Sequence, residues 1–341
     1  MLSTTASAVT PIHPAEEDLD GGYLFAYFRG ESDPQGEQVR FAVSSRAEPL
    51  AFTVLSNGDP VLTSMIGERG VRDPFLVRNE LTGGFHLIAT DLSIHYNDDW
   101  DRALRHGSRA IIVLDSPDLI TWTGPRRVVI APPQAGCAWA PEALLDHTRS
   151  EYIVVWSSTM YGDDDPGHNE ESYPRVLQAT TRDFRSFSSP RMYIDPGYSV
   201  IDTTFLRRDG VLHRFTKDER SRSASEIGGK HVFQESTTDD VLATTFATVA
   251  EGIGSTTLEQ GEGPIAVNSP DGLTSYLLID EFGGRGYVAF ESADPATGAW
   301  TPVVGALLPP GARHGSLLPI SRVDRERLLS AYPSTPTVNR D

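Results

Sequence analysis

The feature that most limits how this chain can fold is a short strand-like segment that returns five times. It is first met as Gly70-Val71-Arg72-Asp73-Pro74-Phe75-Leu76-Val77, an acid in an apolar run directly before a proline. Trp139-Ala140-Pro141-Glu142-Ala143-Leu144, Val200-Ile201-Asp202-Thr203-Thr204-Phe205 and Glu262-Gly263-Pro264-Ile265-Ala266-Val267 repeat it; in Arg313-His314-Gly315-Ser316-Leu317-Leu318 a histidine stands in for the acid. The copies are spaced at intervals of roughly 50 to 70 residues, a repeat length that points to stacked or radial units. Each acid-bearing segment is followed by further strand-like runs. After Asp73 these are residues 85–91, 110–114 and a segment leading to Trp122; after Glu262 they are 276–280, 286–290 and a segment leading to Trp300. Four strands per unit at this period predict a β-propeller. No segment carries convincing helical periodicity, which argues against α/β barrels and doubly wound sheets.

The two ends of the chain complete the count. Residues 23–28, 39–44 and 51–55 read as three strands that lack an acid-bearing first strand, while residues 314–320 read as a first strand with nothing after it. Pairing the last strand with the first three makes a fifth blade and leaves no pairing edge open at the seam. The expectation is therefore all-β: a five-bladed β-propeller over residues 22–341, one domain, closed by its C-terminal inner strand. A polar, flexible segment over residues 1–21 precedes it.

Composition narrows the partners. A hydrophobic content of 39% can fill such a core, and a net charge of −18 disfavours nucleic acid, anionic membranes and polyanionic substrates. A neutral ligand fits best. The single cysteine, Cys137, excludes an intramolecular disulfide and any cysteine metal cluster. Residues 1–22 hold no apolar core of signal-peptide length and no later run is long enough to span a bilayer, so the chain as written is expected to be cytoplasmic. A chain from which an export signal had been removed, and which is therefore secreted, would read the same.

In a propeller the first strand of every blade lines the central axis, so residues far apart in sequence meet in one funnel. Carboxylates confined there repel one another and raise one another's pKa, so packing alone does not explain three of them. Two carboxylates across a cavity are what glycoside hydrolysis needs: one protonates the leaving oxygen and the other activates water or attacks carbon. A third can tune and orient the proton donor. Asp73, Asp202 and Glu262 suit these places.

The set Arg72-Asp73-Pro74, Trp139-Ala140-Pro141-Glu142, Ile201-Asp202, Glu262-Gly263-Pro264 and Arg313-His314-Gly315 resembles glycoside hydrolase family 43, whose members are five-bladed, inverting propellers. The resemblance runs from about Gly22 to Leu329, with the motifs in order. It implies Asp73 as general base, Glu262 as general acid and Asp202 as the residue that tunes Glu262. It also implies a substrate-contacting role for Arg285 in Gly283-Gly284-Arg285-Gly286-Tyr287, and sugar stacking for Trp139. His314 resembles a family histidine that faces a buried calcium or water cluster; no cofactor is required, and a structural calcium held indirectly through water would sit there. Glu142 departs from the aspartate common in the family and is placed with the substrate-binding residues, behind the acids. Asp91, and Trp100 in the long insertion after it, complete that group. Arg72 is left out of the acid set, on the strand face away from the axis.

The activity implied is an exo-acting α-L-arabinofuranosidase on arabinan- or arabinoxylan-type oligosaccharides, with β-D-xylosidase and endo-arabinanase as the alternatives within the family. A non-catalytic propeller that binds glycans or proteins is the alternative from another class. The related invertase clan lacks a match for its Asn-Asp-Pro-Asn-Gly segment here.

Overall fold

Five four-stranded antiparallel sheets are arranged around one axis in the computed structural model, which describes residues 19–243 and 245–335. The expected lead-in over residues 1–21 lies almost wholly outside the described residues. In chain order the first three strands are β1 (Gly22–Phe28), β2 (Arg40–Val43) and β3 (Thr53–Val54). The second blade is β4 (Arg72–Arg78), β5 (Phe85–Thr90), β6 (Ala110–Ser116) and β7 (Thr123–Val129). The third is β8 (Trp139–Asp146), β9 (Glu151–Thr159), β10 (Pro174–Thr181) and β11 (Arg191–Ile194). The fourth is β12 (Val200–Arg208), β13 (Val211–Asp218), β14 (Val232–Thr237) and β15 (Ala247–Ile253). The fifth is β16 (Glu262–Asn268), β17 (Ser275–Glu281), β18 (Gly286–Ser292) and β19 (Thr301–Pro302). The last strand, β20 (Arg313–Ile320), pairs antiparallel with β1 from Gly22↔Ile320 to Phe28↔Arg313 and completes the first blade. The inner strands touch in the cyclic order β20, β4, β8, β12, β16 and back to β20, so the ring is closed.

The second strand of each blade is pressed between two neighbouring sheets, which is why β1, β5, β9 and β17 read as largely apolar runs rather than alternating ones, whereas β13 buries His213, Arg214 and Lys217 as well. β1 and β5 are buried along their whole length. Each seam between blades has its own apolar cluster. Leu24 and Phe41 meet Leu87 and Ile112 between the first and second blades. Ile111 and Val113 meet Val154 and Trp156 at the next seam. At the closing seam Phe25 and Ala42 meet Leu278 and Ala289, with the rings of Phe25 and Tyr287 edge-on at 5.6 Å.

Helix is present despite the absence of helical periodicity in the sequence. α1 (Ile94–Asn97) and α2 (Trp100–Arg105) stand on the insertion after β5, and α3 (Arg322–Ala331) follows the closing strand. The start of α3 is a capping box, with Ser321 accepting from the Asp324 N–H and the Asp324 carboxylate receiving the Ser321 N–H. That Ser-x-x-Asp signal was readable, but α3 buries only Leu328 fully and its apolar face is faint. Among the described residues, no helix is long and apolar enough to cross a membrane.

Every inner strand carries a bulge at the same level. The pairing register slips past Asp73 and Pro74, past Ala140 and Pro141, past Asp202, past Gly263 and Pro264, and past His314. In four of these the bulged residue has a left-handed backbone: φ is +51° at Asp73, +48° at Ala140, +55° at Asp202 and +50° at Gly263. Bulges re-aim side chains next to functional sites, and the prolines fall where the ladder is already interrupted. Asp73, Ala140, Asp202, Gly263 and His314 are therefore structural equivalents. Arg72, Trp139, Ile201, Glu262 and Arg313 form the level directly before them.

Because Phe25 fills the closing seam, Phe25→Ala should lower unfolding free energy by about 3–5 kcal/mol. The check is a shift of the denaturant midpoint at unchanged slope; a loss near zero would mean the seam carries no weight.

Candidate active site

Three of the five bulges are tied to the blade before them through one position on that blade's second strand. Thr90, Ser157, Lys217 and Asp280 lie opposite Arg72, Trp139, Ile201 and Glu262 in register. Thr90 Oγ1 accepts the Ala140 N–H at 2.7 Å, Ser157 Oγ the Asp202 N–H at 3.2 Å, and Asp280 Oδ2 the His314 N–H at 3.3 Å. Gly263 differs, its N–H donating to Asp202 Oδ2 at 3.0 Å. Only glycine fits at 263, because a Cβ there would lie 2.6 Å from the His314 ring.

These ties bring the acids together. Asp73 Oδ1 is 3.5 Å and Asp202 Oδ2 is 3.8 Å from Nδ1 of His314, and Thr90 Oγ1 donates to the other Asp73 oxygen at 2.6 Å. Glu262, one level nearer the mouth, takes Lys217 Nζ on Oε2 at 2.8 Å and Arg313 Nη2 on Oε1 at 2.6 Å. Arg313 also gives Nε to Asp280 Oδ2 at 2.6 Å. Lys217 is buried, shared with Glu219 at 2.7 Å and seated 4.2 Å from the centre of the Phe282 ring.

The charges set these carboxyls apart. Burial opposes ionisation of Glu262, but Lys217 and Arg313 outweigh it and hold the group down at about 2. Burial pushes Asp202 up to about 6; the charges of Glu262 and Asp73 add to this, and His314 and Lys217 work against it. Asp280 is raised by burial to about 6 despite Arg313. Glu142 is buried and raised well above the usual carboxylate range by burial and by the Asp202 charge, with Thr204 as its hydrogen-bond partner.

Beside the acids stands an aromatic wall. Trp139, at the pre-bulge level of β8, meets the Trp100 ring edge-on at 6.1 Å and 81°. Trp100 opens α2, whose N-terminus is capped by Asp99 accepting the Arg102 N–H, and is 45% exposed. Arg72 is buried beneath this wall, 5.2 Å from the Trp100 ring centre and 4.7 Å from that of Phe28, with Nη1 on Glu37 at 2.9 Å. Glu37 also accepts the Ile94 N–H at 2.8 Å, so one carboxylate fixes both Arg72 and the start of α1. The α2 segment is joined to the loop over residues 160–172 by Arg105 Nη1 on the Glu170 carbonyl at 2.9 Å.

Two residues expected at the site make no bond to the three acids. The Asp91 carboxylate is fully buried and used up by the Glu68 N–H, Ser108 Oγ and Arg127 Nε at 2.8, 2.6 and 2.7 Å, holding loops together. Arg285 folds back on Glu281 at 2.5 Å in its own turn and on the Thr257 carbonyl at 2.7 Å in the loop before β16, and has no bond to the three acids. Lys217, Arg313, Asp280 and Thr90 were missed, although Arg313 stands inside a recognised motif. Among the described residues no three His, Cys, Asp or Glu side chains are arranged to hold a metal ion directly. A channel calcium would have to be held through water, and no step below depends on one.

Asp202 makes a stability prediction. Its folded pKa lies above the unfolded value near 3.9, so its contribution is fully present below about pH 3.9 and lost as pH rises through about 6. Asp202→Asn should therefore gain on the wild type by on the order of 2 kcal/mol between pH 4 and pH 8. Thermal melts across that range test it, and a constant difference between the two proteins would refute the assignment.

With this geometry in view, the comparisons are consistent with one another. A glycosyl hydrolase family 43-related model, described as a probable glycosyl hydrolase domain, matches residues 18–326. An alpha-L-arabinofuranosidase of Bifidobacterium longum subsp. longum is 34% identical over 315 residues, covering 84% of this chain. The chain spans 29% of that relative's length. Among solved structures, a thermostable family-43 glycoside hydrolase superposes with a TM-score of 0.52 at 16% identity, covering 77% of this chain and 83% of the other. The alpha-L-arabinanase of Penicillium chrysogenum, complexed with arabinobiose, gives 0.51 at 15% identity, covering 88% and 86%. These two likenesses establish the propeller fold. The match over residues 18–326 goes further: the chain belongs to the family 43-related glycosyl hydrolases.

Proposed function

We propose that the chain is an inverting, exo-acting α-L-arabinofuranosidase that releases terminal arabinofuranose from neutral arabinan- or arabinoxylan-type oligosaccharides. The observation that carries the reading is the meeting of Asp73, Asp202 and Glu262, from three different blades, around His314 and Arg313. The arabinofuranosidase likeness of the Bifidobacterium longum relative supports the choice of sugar. The insertion bearing Trp100, joined to the 160–172 loop through Arg105, narrows the mouth and favours a chain end over a chain interior.

Asp73 acts as base. Thr90 holds one of its oxygens, leaving the other toward the His314 side, where a water can be oriented and deprotonated as it attacks the anomeric carbon. Glu262 protonates the departing oxygen. In the free protein Lys217 and Arg313 keep Glu262 ionised, so its proton is taken up as substrate binds: the glycosidic oxygen accepts a hydrogen bond only from the protonated form and so stabilises it. Asp202 adds a nearby carboxyl that resists full ionisation of the pair and holds the Gly263 N–H, and with it the strand that carries Glu262. Trp139 and Trp100 offer the sugar apolar faces.

Nitrophenyl α-L-arabinofuranoside and nitrophenyl β-D-xyloside, assayed side by side, test the sugar. The expected result is turnover of the first with an inverted product anomer by NMR. Turnover of the xyloside alone moves the assignment to β-D-xylosidase, and activity only on internal arabinan bonds moves it to endo-arabinanase. Asp73→Ala should lose about 10²–10⁴-fold in kcat/KM while keeping its fold. Because the acid is ionised in the free protein and protonated in the complex, the alkaline limb of kcat/KM should lie at lower pH than that of kcat. Coincident limbs would argue against proton uptake on binding.

A further inference from the structure

Asp280 is a buried carboxylate at the centre that the proposed mechanism does not use. Its register position is shared with Thr90 and Ser157, each of which holds the bulge N–H of the next blade with a hydroxyl. Asp280 holds the His314 N–H in the same manner. If that were its whole task, a hydroxyl would serve here too, without burying a charge. The carboxylate does something the hydroxyls do not: Oδ2 receives Arg313 Nε at 2.6 Å, while Nη2 of the same guanidinium reaches Glu262 Oε1 at 2.6 Å. A planar guanidinium gripped on two of its edges has a fixed orientation, which an ammonium would lack. Oδ1 of Asp280 has no hydrogen-bond partner among the described residues, although the residue is fully buried. Unsatisfied buried polar atoms are rare enough to call for a reason beyond packing.

We propose that Asp280 is a positioning residue for the protonation step, holding Arg313 in common with Glu262 so that the guanidinium orients the acid while its charge is shared between two carboxylates. The proposal rests on the assignment of Glu262 as the acid. Three charges then act as one balance. Lys217 and Arg313 draw Glu262 toward ionisation, and Asp280 draws part of Arg313 away, so that Glu262 can take up a proton and pass it on. Without the Asp280 charge, Arg313 turns wholly to Glu262, and the acid becomes harder to protonate. The defect would fall on one step, the departure of leaving groups that need a proton.

A series of α-L-arabinofuranosides with leaving groups from dinitrophenyl to alkyl reads that step directly, with the matching xylosides used if the wild type prefers them. Dinitrophenolate leaves without help, whereas an alkoxide does not. Glu262→Gln should lose about 10²–10⁴-fold on the alkyl glycoside and little on the dinitrophenyl one. Asp280→Ser restores the hydroxyl found in the second and third blades. It should stay folded, lose about 10–100-fold on the alkyl glycoside, and stay within about threefold of wild type on the dinitrophenyl glycoside. Asp280→Asn, of the same size, should follow the same slope. A uniform loss across the series, no loss at all, or loss of the folded state by circular dichroism in both Asp280 variants overturns the proposal. A flat series for Glu262→Gln is a different failure, since it removes the acid assignment itself.

Discussion

The hydrogen bond from the bulged inner-strand N–H of Ala140, Asp202, Gly263 and His314 to a side chain of the preceding blade is the contact on which the centre depends. A bulge alone turns a side chain but leaves a donor unpaired in a buried place, where it would be costly. By satisfying that donor from the neighbouring blade, Thr90, Ser157 and Asp280 fix the level of one inner strand against the next. The left-handed backbone at Asp73, Ala140 and Asp202 is unfavourable by about 1 kcal/mol or more at each non-glycine position. At Ala140 and Asp202 the cross-blade bonds hold it, and at Asp73 the carboxylate is held by Thr90 of the same blade. In this way a fold whose five sheets pack through apolar seams acquires a polar centre with side chains at defined heights.

Those heights decide the electrostatics. Asp73, Asp202 and His314 share the bulge level, and each carboxylate has the imidazole as neighbour. Glu262 and Arg313 share the level above, on adjacent blades, and so meet directly. Lys217, opposite Ile201 on the second strand of the fourth blade, reaches across to the same carboxylate. Two carboxyls on neighbouring strands, one residue out of step, therefore feel opposite environments, with Glu262 among cations and Asp202 among buried acids. Such separation of pKa values is how one site supplies different proton-transfer roles.

The propeller, its five blades and the pairing of the last strand with the first were legible because the acid-bearing segment repeats with four strands to a unit. That Asp73, Asp202, Glu262 and His314 meet at the axis was legible for the same reason. The second-strand partners were not. Lys217 and Asp280 are each the penultimate residue of a second strand, and their reach toward the axis depends on a pairing register that the bulges shift. Asp91 and Arg285 do not join the three acids for local reasons, since each is bonded within its own surroundings: Asp91 by Ser108 and Arg127, Arg285 by Glu281 four residues earlier. The helices escaped because α1 and α2 are 4 and 6 residues long and α3 has a weak apolar face, so periodicity had little to register.

The pairing of β20 with β1 has a consequence for how the molecule comes into being. Asp73, Asp202 and Glu262 belong to blades whose strands are all made before residue 303, whereas Arg313 and His314 arrive only with the closing strand. A growing chain that has gathered its inner strands therefore holds carboxylates facing one another, with Lys217 as the cation already in place beside them. Like charges in a confined space resist that gathering. The final strand brings the guanidinium and the imidazole at the moment it completes the apolar seam. Closing the ring and bringing the second cation to its centre are thus a single event, and a chain that stops short of Arg313 lacks both.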